Sequence, residues 1–443
     1  MIESPLKNLP FLSKVYRFIV AYSGGLDSQV LLHAVAASRG EFKGIGVVAV
    51  HVNHGLSEKA EQWSQHCAAH CAALGVPFTN INVDAKPRPG ESPEATAREV
   101  RYQAFRDFMQ AGDCLLTAHH QDDQAETLLI QLLRGAGPRG LAAMPGYAEF
   151  ANGWQARPLL NQRREGLLEY AQQAGLSWID DESNSDTRFD RNFLRHEIMP
   201  RLKSRFPAAA STLSRSANLC AEASEIMASA AVADLAQVQC DGGLFSVSAL
   251  YALGEIRARN LLHHWCRDHG LSTPSAAQLQ CVWEEVIGAA ADSDPVVSWT
   301  GGEARRYRDT LFLGRPLSAH DASQRLPWDW QQSLCIPGIG ELYSEKVIGQ
   351  GISPAVLDGH RSEIRFRQGG EQLRPAGRSG HHALKKLFQE EGVPPWLRER
   401  IPLIYADGQL LAVAGYWVAH EVAVRANEPG ISLRWSAQAP ALL

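Results

Sequence analysis

The residues best suited to chemistry form a short glycine loop that follows an apolar run and opens a helical pattern. Consecutive glycines let the backbone approach an anion, and a helix that begins there directs unpaired N–H groups at it. Asp27 would repel a polyphosphate unless a cation intervened, so the loop predicts phosphate binding with Mg²⁺ beside that carboxylate. The alternative is a glycine turn with a helix cap. The loop consists of Ser23, Gly24, Gly25, Leu26, Asp27 and Ser28.

A second cluster, HHQDDQAET, begins at His119 after a short apolar run. His119 and Asp123 are four residues apart, so they share a helix face if the helix starts early. That pairing predicts an imidazole near a reacting phosphate and a carboxylate on the metal. The alternative is a helix start capped by Asp122 with a surface histidine pair.

Two groups of arginines could bind phosphate or RNA. Arg98 and Arg101 lie on a predicted helix and suit a phosphate or a nucleobase carbonyl, although for this segment taken by itself a solvated helix face is the favoured alternative. Arg188, Arg191 and Arg195 share one face at helical spacing, which predicts a surface that follows an RNA backbone. A salt-bridged surface helix is the alternative for that segment.

The spacing of glycines and cysteines argues against other common nucleotide-binding, zinc and redox sites. The chain has no G-x-x-x-x-G-K-S/T phosphate loop, and the G-x-G-x-x-G at 135–140 follows a helix instead of a strand, so we expect a flexible loop there. Cys67 and Cys71 share a helix face but lack the C-x-x-C spacing of zinc and redox sites, so we expect packed helix residues.

The elements that must position these clusters alternate between strand and helix over the first two hundred residues. Such alternation predicts an α/β domain with a parallel sheet and helices on both faces. The carboxyl ends of parallel strands share one edge, where ligands bind, so both clusters should meet there. The predicted strands are 16–22, 45–52, 78–83 and 114–117, and the predicted helices are 28–38, 58–74, 93–109 and 122–133.

Beyond residue 206 the pattern changes. We predict four segments: a catalytic α/β domain at 1–206, a mainly helical domain at 207–316, a linker or small β region at 317–359, and a C-terminal α+β domain at 360–443. Residues 361–400 hold nine Lys or Arg against five Glu, which is a local basic bias. Residues 404–418 read as a hairpin with Asp407 and Gly408 at the turn.

Composition sets the broad class. The chain has 443 residues, is 45% hydrophobic and 21% charged, and carries a net charge of −5, which excludes a collagenous, disordered or globally basic protein. Its eight cysteines are scattered, which argues against a disulfide framework. No run reaches the length of a membrane helix and the N-terminus lacks a signal peptide, so we expect a cytoplasmic protein without a membrane partner.

With these motifs in hand, the sequence resembles the PP-loop, or N-type ATP pyrophosphatase, enzymes. Within that group it closely resembles the bacterial tRNA(Ile)-lysidine synthetases. The match is dense over the first 205 residues and continues at 374–405. Its motifs are SGGLDS, HVNHGLS at 51–57, AREVRY at 97–102, HHQDDQAET, RGAGPRGLAAM at 134–144, the DESNSD stretch at 181–186, and RPAGRSGHHALKK at 374–386.

The resemblance implies ATP and Mg²⁺, and a reaction on the wobble cytidine of the CAU anticodon of tRNA(Ile). ATP adenylates the oxygen on carbon 2 of cytosine, and free L-lysine then displaces AMP from that carbon. Asp27 and Asp123 would share Mg²⁺, and Arg98 or Arg101 would hold the cytosine or the α-phosphate. His119 would act at the reacting centre, and Glu126 is our candidate for the lysine ammonium.

The resemblance also adds His51 to the ATP-binding residues and implies a C-terminal tRNA-binding domain. The predicted tRNA-binding residues are Arg188, Arg191, Asn192, Arg195, Arg374, Arg378, Lys385 and Lys386. Two rival functions stay open at this point: another PP-loop enzyme, such as a tRNA thiolase or an amide-forming ligase, and a non-catalytic nucleotide-sensing RNA-binding protein. The sequence also leaves open whether the chain is a monomer or a homodimer.

Overall fold

A computed structural model describes residues 6–55, 59–86, 93–180, 186–240, 243–290 and 293–437. Four sequence features fall partly or wholly outside these residues: the end of the HVNHGLS motif at 56–57, the start of the helix predicted from residue 58, the acidic loop at 181–185, and the predicted break at 241–242. The chain divides into two compact units, Met1–Ile226 and Met227–Leu443. None of the described helices is long and apolar enough to span a membrane.

The first unit is the α/β domain that the alternation predicts. Its early strands and helices match the predicted segments to within a few residues. They are β1 (Arg17–Ala21), α1 (Leu26–Ala37), β2 (Gly46–Asn53), α2 (Ala60–Ala73), β3 (Phe78–Asn82), α3 (Pro93–Phe108), β4 (Asp113–Leu116) and α4 (Gln121–Leu133). The later elements are α5 (Pro138–Leu141), β5 (Tyr147–Phe150), β6 (Gly153–Ala156), α6 (Arg164–Gln173), α7 (Asp190–Phe193), a π-helix (Leu194–Ile198) and α8 (Met199–Arg205).

The sheet of this unit has the order β3-β2-β1-β4-β6-β5. All neighbouring pairs are parallel except β5 and β6, which form an antiparallel hairpin at one edge. Successive side chains of a strand point to opposite faces. Phe18 and Val20 accordingly pack with α1, α2 and α6, whereas Ile19 packs with α3 on the other face. The parallel sheet with helices on both faces is therefore confirmed.

A long helix, α9 (Ala209–Val238), begins in the first unit and ends in the second. The helices that follow pack on a four-stranded sheet of order β7-β10-β9-β8, so this region is helical with a β layer. Its elements are β7 (Phe245–Ser246), α10 (Val247–Leu253), α11 (Glu255–Asp268), α12 (Ala276–Cys281), a π-helix (Val282–Ile287), β8 (Val296–Trp299), β9 (Gly302–Tyr307) and β10 (Thr310–Gly314).

The remainder of the second unit contains three small sheets and short helices. Residues 317–359 pack into one hydrophobic core with the C-terminal residues, since β11 pairs with β14 and β13 pairs with β20. The predicted hairpin is present as β17 and β18, with positive φ at Asp407 and Gly408. The elements are β11 (Leu326–Pro327), β12 (Leu334–Ile336), β13 (Gly340–Ile348), α13 (Pro354–Gly359), β14 (Ser362–Arg365), β15 (Gln372–Leu373), β16 (His382–Ala383), α14 (Leu384–Glu390), α15 (Pro395–Arg398), β17 (Leu403–Ala406), β18 (Gln409–Val413), β19 (Trp417–Val418) and β20 (Pro429–Ala437).

Candidate active site at the carboxyl edge of the parallel sheet

The glycine loop connects β1 to α1, and α1 begins at Leu26 with Gly25 as its N-cap. Ser28 Oγ donates to the carbonyl of Gly25 at 3.0 Å and lies 3.1 Å from Ser23 Oγ. The serine hydroxyls therefore brace the loop from within. Leu26 has a buried side chain in the core, so any contact that it makes with a phosphate comes from its backbone amide.

Gly24 is the glycine that the fold requires. Its φ is +84°, and a Cβ built there would lie 2.9 Å from Cys67 Sγ and from a side-chain carbon of Ile179. A Cβ on Gly25 would meet nothing closer than 3.6 Å. Cys67 is thus a packing residue, as the sequence predicts, and burial raises the pKa of its thiol to about 12.

His120 joins the loop to the second cluster. Its side chain is 1% exposed, and its Nε2 lies 3.5 Å from carboxylate oxygens of both Asp27 and Asp123. Its Nδ1 lies 3.9 Å from Asp122. Burial opposes charge on this ring, but the three carboxylates outweigh it and raise the pKa of His120. The two predicted metal ligands are therefore brought together around one imidazole.

The predicted pairing of His119 with Asp123 on one helix face is wrong, because α4 begins only at Gln121. The residue at the helix cap is His120, whose backbone N–H donates to Asp123 Oδ2 at 2.9 Å. His119 lies just before the helix, with Nδ1 3.0 Å from Thr117 Oγ1. Burial lowers the pKa of His119 to about 3. The negative charge of Asp123 opposes this shift, and the positive charge of nearby arginines adds to it. A neutral imidazole follows at physiological pH.

The carboxylates of Asp123 and Glu126 are held by two arginines. Arg191 and Arg195 each donate to Asp123 Oδ1, at 2.9 and 2.8 Å. Their Nε atoms donate to the two oxygens of Glu126, at 2.9 and 2.7 Å. Glu126 is 1% exposed, and each of its carboxylate oxygens accepts a hydrogen bond from an arginine. A lysine ammonium at Glu126 would have to join or replace one of these contacts.

The structure gives the arginines at 188–195 different environments. Arg191 and Arg195 lie on α7 and the π-helix that continues it and face site carboxylates, which favours the salt-bridged alternative over an RNA surface. Arg188 precedes α7, so its predicted place on the same face is wrong; it pairs with Asp186 and is exposed. Asn192 donates to the carbonyl of Asp186 at 3.0 Å.

Two further histidines and two arginines lie at the same sheet edge. His51 is buried, and its Nδ1 donates to the Tyr22 carbonyl oxygen at 2.9 Å. Burial lowers the pKa of His51. Burial, with the charge of Arg101, lowers the pKa of His54 to about 4. Arg98 lies over the ring of Tyr102 and is near enough to act on His119.

The predicted C-terminal tRNA-binding residues lie in the second unit. Lys385 and Lys386 are exposed on α14. Arg378 pairs with Glu390 at 2.5 Å, and Arg374 lies 3.9 Å from Glu421. The positive charge of this segment is therefore partly neutralised within the chain, while the side chains of the two lysines are exposed.

The residues present fit a divalent cation at Asp27. One of its oxygens, Oδ1, is buried and has no hydrogen-bond partner, whereas both oxygens of Asp123 are engaged. Among the described residues, no group of three or more His, Cys, Asp or Glu side chains could hold a metal ion without other ligands. A cation here would need phosphate oxygens to complete its coordination.

Sequence reasoning missed His120 and a buried group at the ends of β4 and β6. His120 lies within a motif that was recognised, but only the helix start distinguishes it from His119. Arg157 is nine-tenths buried at the end of β6, a strand that the sequence pattern did not predict. The available signal was a glutamine in the short stretch GWQA, followed directly by an arginine that begins the sequence RPLL.

Comparison with protein families gives three matches that together cover most of the chain. Residues 2–202 match a family described as PP-loop domain, residues 245–312 match the TilS substrate binding domain, and residues 362–435 match the TilS substrate C-terminal domain.

Curated relatives are similar over nearly their whole length. The tRNA(Ile)-lysidine synthase of Methylococcus capsulatus is 44% identical, with 94% of this chain and 95% of the relative covered. The tRNA(Ile)-lysidine synthase of Coxiella burnetii is 43% identical over 97% of this chain and 95% of its own. A solved U34-tRNA thiolase from Methanococcus maripaludis has a TM-score of 0.42 and 14% identity over 50% of this chain and 78% of its own.

Proposed function

The chain belongs to the tRNA(Ile)-lysidine synthase family, and we propose that the carboxyl edge of its parallel sheet is the site of that family's reaction. The chain is an ATP-dependent ligase that forms lysidine in tRNA(Ile). The observation that carries the site assignment is that Asp27 of the glycine loop and Asp123 of the second cluster both lie 3.5 Å from His120 Nε2.

The reaction proceeds in two steps on carbon 2 of the wobble cytidine of the CAU anticodon. The cytosine oxygen attacks the α-phosphorus of ATP and releases pyrophosphate. The ε-amine of L-lysine then attacks carbon 2 and releases AMP. Because a carbonyl oxygen is a poor leaving group and AMP a good one, adenylation divides one difficult displacement into two feasible steps.

The glycine loop binds the phosphates of ATP. The amides at the start of α1 supply donors and a positive dipole end, and Ser23 and Ser28 fix the loop in shape. Asp27 would hold Mg²⁺ together with phosphate oxygens, and Asp123 stands beside it as a second carboxylate. Such an ion neutralises phosphate charge when it is bound.

The remaining predicted residues surround the reacting centre. Arg98 and Arg101 supply positive charge for the cytosine or the α-phosphate, and neutral His119 supplies a hydrogen bond there. The lysine ammonium approaches Glu126, where it competes with Arg191 and Arg195 for carboxylate oxygens. The exposed lysines of α14 hold tRNA by its backbone. We propose a cytoplasmic protein, since its substrate tRNA is there.

The site assignment is tested by Asp27→Asn. The substitution keeps the size of the side chain but removes the charge that would hold Mg²⁺, so we expect tRNA-dependent AMP formation to fall at least about 100-fold. Asp107→Asn, an exposed aspartate on α3, is the matched control and should keep the native rate. A well-folded Asp27→Asn enzyme that forms AMP at the native rate would exclude the metal role.

A further inference from the structure

Five side chains form a hydrogen-bonded chain at the ends of β4 and β6. Arg157 Nη2 donates to Gln155 Oε1 at 2.9 Å. Gln155 Nε2 donates to Tyr102 Oη at 3.2 Å and to Thr117 Oγ1 at 3.4 Å. Thr117 Oγ1 lies 3.0 Å from His119 Nδ1. Arg157, Gln155 and Thr117 are all buried, so water does not substitute freely for these partners.

Donor and acceptor chemistry gives this chain a direction. A guanidinium has only donors, so the amide atom of Gln155 that faces Arg157 must be the oxygen. The amide nitrogen then faces Thr117 and donates to its hydroxyl oxygen. Among the described residues, the Thr117 hydroxyl has hydrogen-bond partners only in Gln155 and His119, so accepting from both would leave its proton unpaired in a buried place, whereas donating to His119 Nδ1 satisfies it. A neutral imidazole that accepts at Nδ1 carries its proton on Nε2.

We propose that Arg157 and Gln155 are positioning residues that fix His119, through Thr117, with its proton on Nε2. His119 then presents a hydrogen-bond donor to the reacting centre. Arg157 is itself anchored, because its Nη1 donates to the carbonyl of Pro145 at 2.7 Å. The hydrogen bonds of the strands hold the ends of β4 and β6 in register, so the relay is built on rigid elements.

The catalytic consequence rests on the proposed function, in which His119 acts at the reacting centre. An Nε2–H donor stabilises an α-phosphate oxygen as its negative charge grows, whereas the other tautomer would present a lone pair to that oxygen. A single preorganised donor of this kind is worth roughly 100- to 1000-fold in rate. The tautomer itself, however, is a property of the free protein and can be measured without substrate.

Gln155→Glu reverses the relay with little change of shape. A carboxylate at 155 still accepts from Arg157 but has no donor, so the Thr117 hydroxyl would donate to it and His119 would donate to Thr117 from Nδ1. Proton-coupled ¹⁵N NMR of histidine-labelled protein reads the tautomer, and His119→Gln identifies the signal among the 16 histidines. Gln172→Glu, on the exposed face of α6, is the matched control.

We expect His119 to be protonated on Nε2 in the native protein and in Gln172→Glu, and on Nδ1 in Gln155→Glu. The kcat for AMP formation should fall about 100-fold in Gln155→Glu, with the KM for ATP within about twofold of native. Native protein protonated on Nδ1, or the same tautomer in native and Gln155→Glu, would overturn the proposal. Native protein with the Nε2 proton but no AMP formation would contradict the proposed function and leave the relay supported.

If Gln155→Glu does not fold, a pair of substitutions at Thr117 tests the proposed relay instead. Thr117→Val keeps the shape and removes the hydroxyl, so kcat should fall at least about tenfold. Thr117→Ser restores a hydroxyl and should recover most of that rate, whereas equal rates for the two variants would overturn the proposal. Thr79→Val, on β3 at the sheet edge, controls for the loss of a strand threonine.

Discussion

At the scale of single residues, two aspartates that look equivalent in the sequence have different surroundings. Asp27 keeps a buried oxygen without a partner, whereas Asp123 accepts from two arginines and a backbone amide. The charge of His120, together with that of the two arginines, outweighs burial and lowers the pKa of Asp123 well below its usual range. Asp123 therefore holds positively charged side chains of the site in place. Asp27 is the carboxylate with an unpaired oxygen that a cation could bind.

Acid should destabilise the protein through its neutral histidines. Burial lowers the pKa of His54 to about 4, against about 6.5 in an unfolded chain. Because the unfolded state takes up this proton first, the stability is fully present above about pH 6.5 and is lost as the pH falls toward 4. Urea titrations give the free energy of unfolding at pH 7 and at pH 5. We expect this free energy to fall between the two pH values by about 1 kcal/mol less in His54→Gln than in the native protein. Equal losses would contradict the assignment.

The choice between His119 and His120 shows what single-residue reasoning lacks. The motif HHQDD could be recognised as a site from its residue types, but the two histidines differ only in their position relative to the start of α4. That start is set by capping and by packing on the sheet, so His120 faces the carboxylates and His119 faces Thr117. Distances between β1, β4 and β6 decide these partners, and a linear sequence does not contain them.

At the scale of elements, the two glycines in the turn between β1 and α1 should tolerate substitution differently. Gly24→Ala would force a Cβ to 2.9 Å from Cys67 and Ile179 at positive φ, so we expect a loss of about 2 kcal/mol of stability. Gly25→Ala should fold with nearly native stability and lose ATP affinity, because the added methyl group lies where a phosphate approaches the N-terminus of α1. Thermal unfolding and ATP titration separate the two effects. Equal stability of both variants would contradict this reading of the loop.

The helical segment at 190–198 supplies the arginines that pair with the buried carboxylates of Glu126 and Asp123. Arg195→Ala would leave Glu126 and Asp123 with one arginine instead of two in a buried setting, and we expect it to cost about 2–3 kcal/mol. Arg188→Ala, at an exposed pair with Asp186, should leave the stability close to that of the native protein. Urea unfolding of both variants measures the difference. If Arg195→Ala instead weakened tRNA binding with no loss of stability, the RNA-surface interpretation would be restored.

Elements were predictable where a local pattern fixes them. The alternation up to α4 is encoded in apolar runs and helical spacing, and the structure follows it. β5 and β6 were not predictable in the same way, because Gly153–Ala156 is short and contains a buried glutamine whose partners come from α3 and β4. The relay that we propose begins on that strand, which is why it could not be found from the sequence.

At the scale of the whole molecule, we propose that the second unit contributes tRNA affinity while the first carries out the chemistry. Lys385→Ala combined with Lys386→Ala removes two exposed charges on α14, so tRNA binding should weaken and its salt dependence should become shallower by roughly one to two units of slope. ATP binding should be unchanged, since the glycine loop lies in the first unit. Unchanged tRNA affinity across a salt series would exclude these lysines from the interface.

The most direct measurement follows AMP and lysine together. The protein is incubated with ATP, Mg²⁺, labelled L-lysine and unmodified tRNA(Ile) that carries a CAU anticodon. We predict that AMP forms in amounts equal to the label entering the tRNA, and that omission of either tRNA or lysine abolishes AMP formation. AMP formation that depends on tRNA but is accompanied by no lysine in the product would contradict the account, because the adenylated base would then meet a different nucleophile.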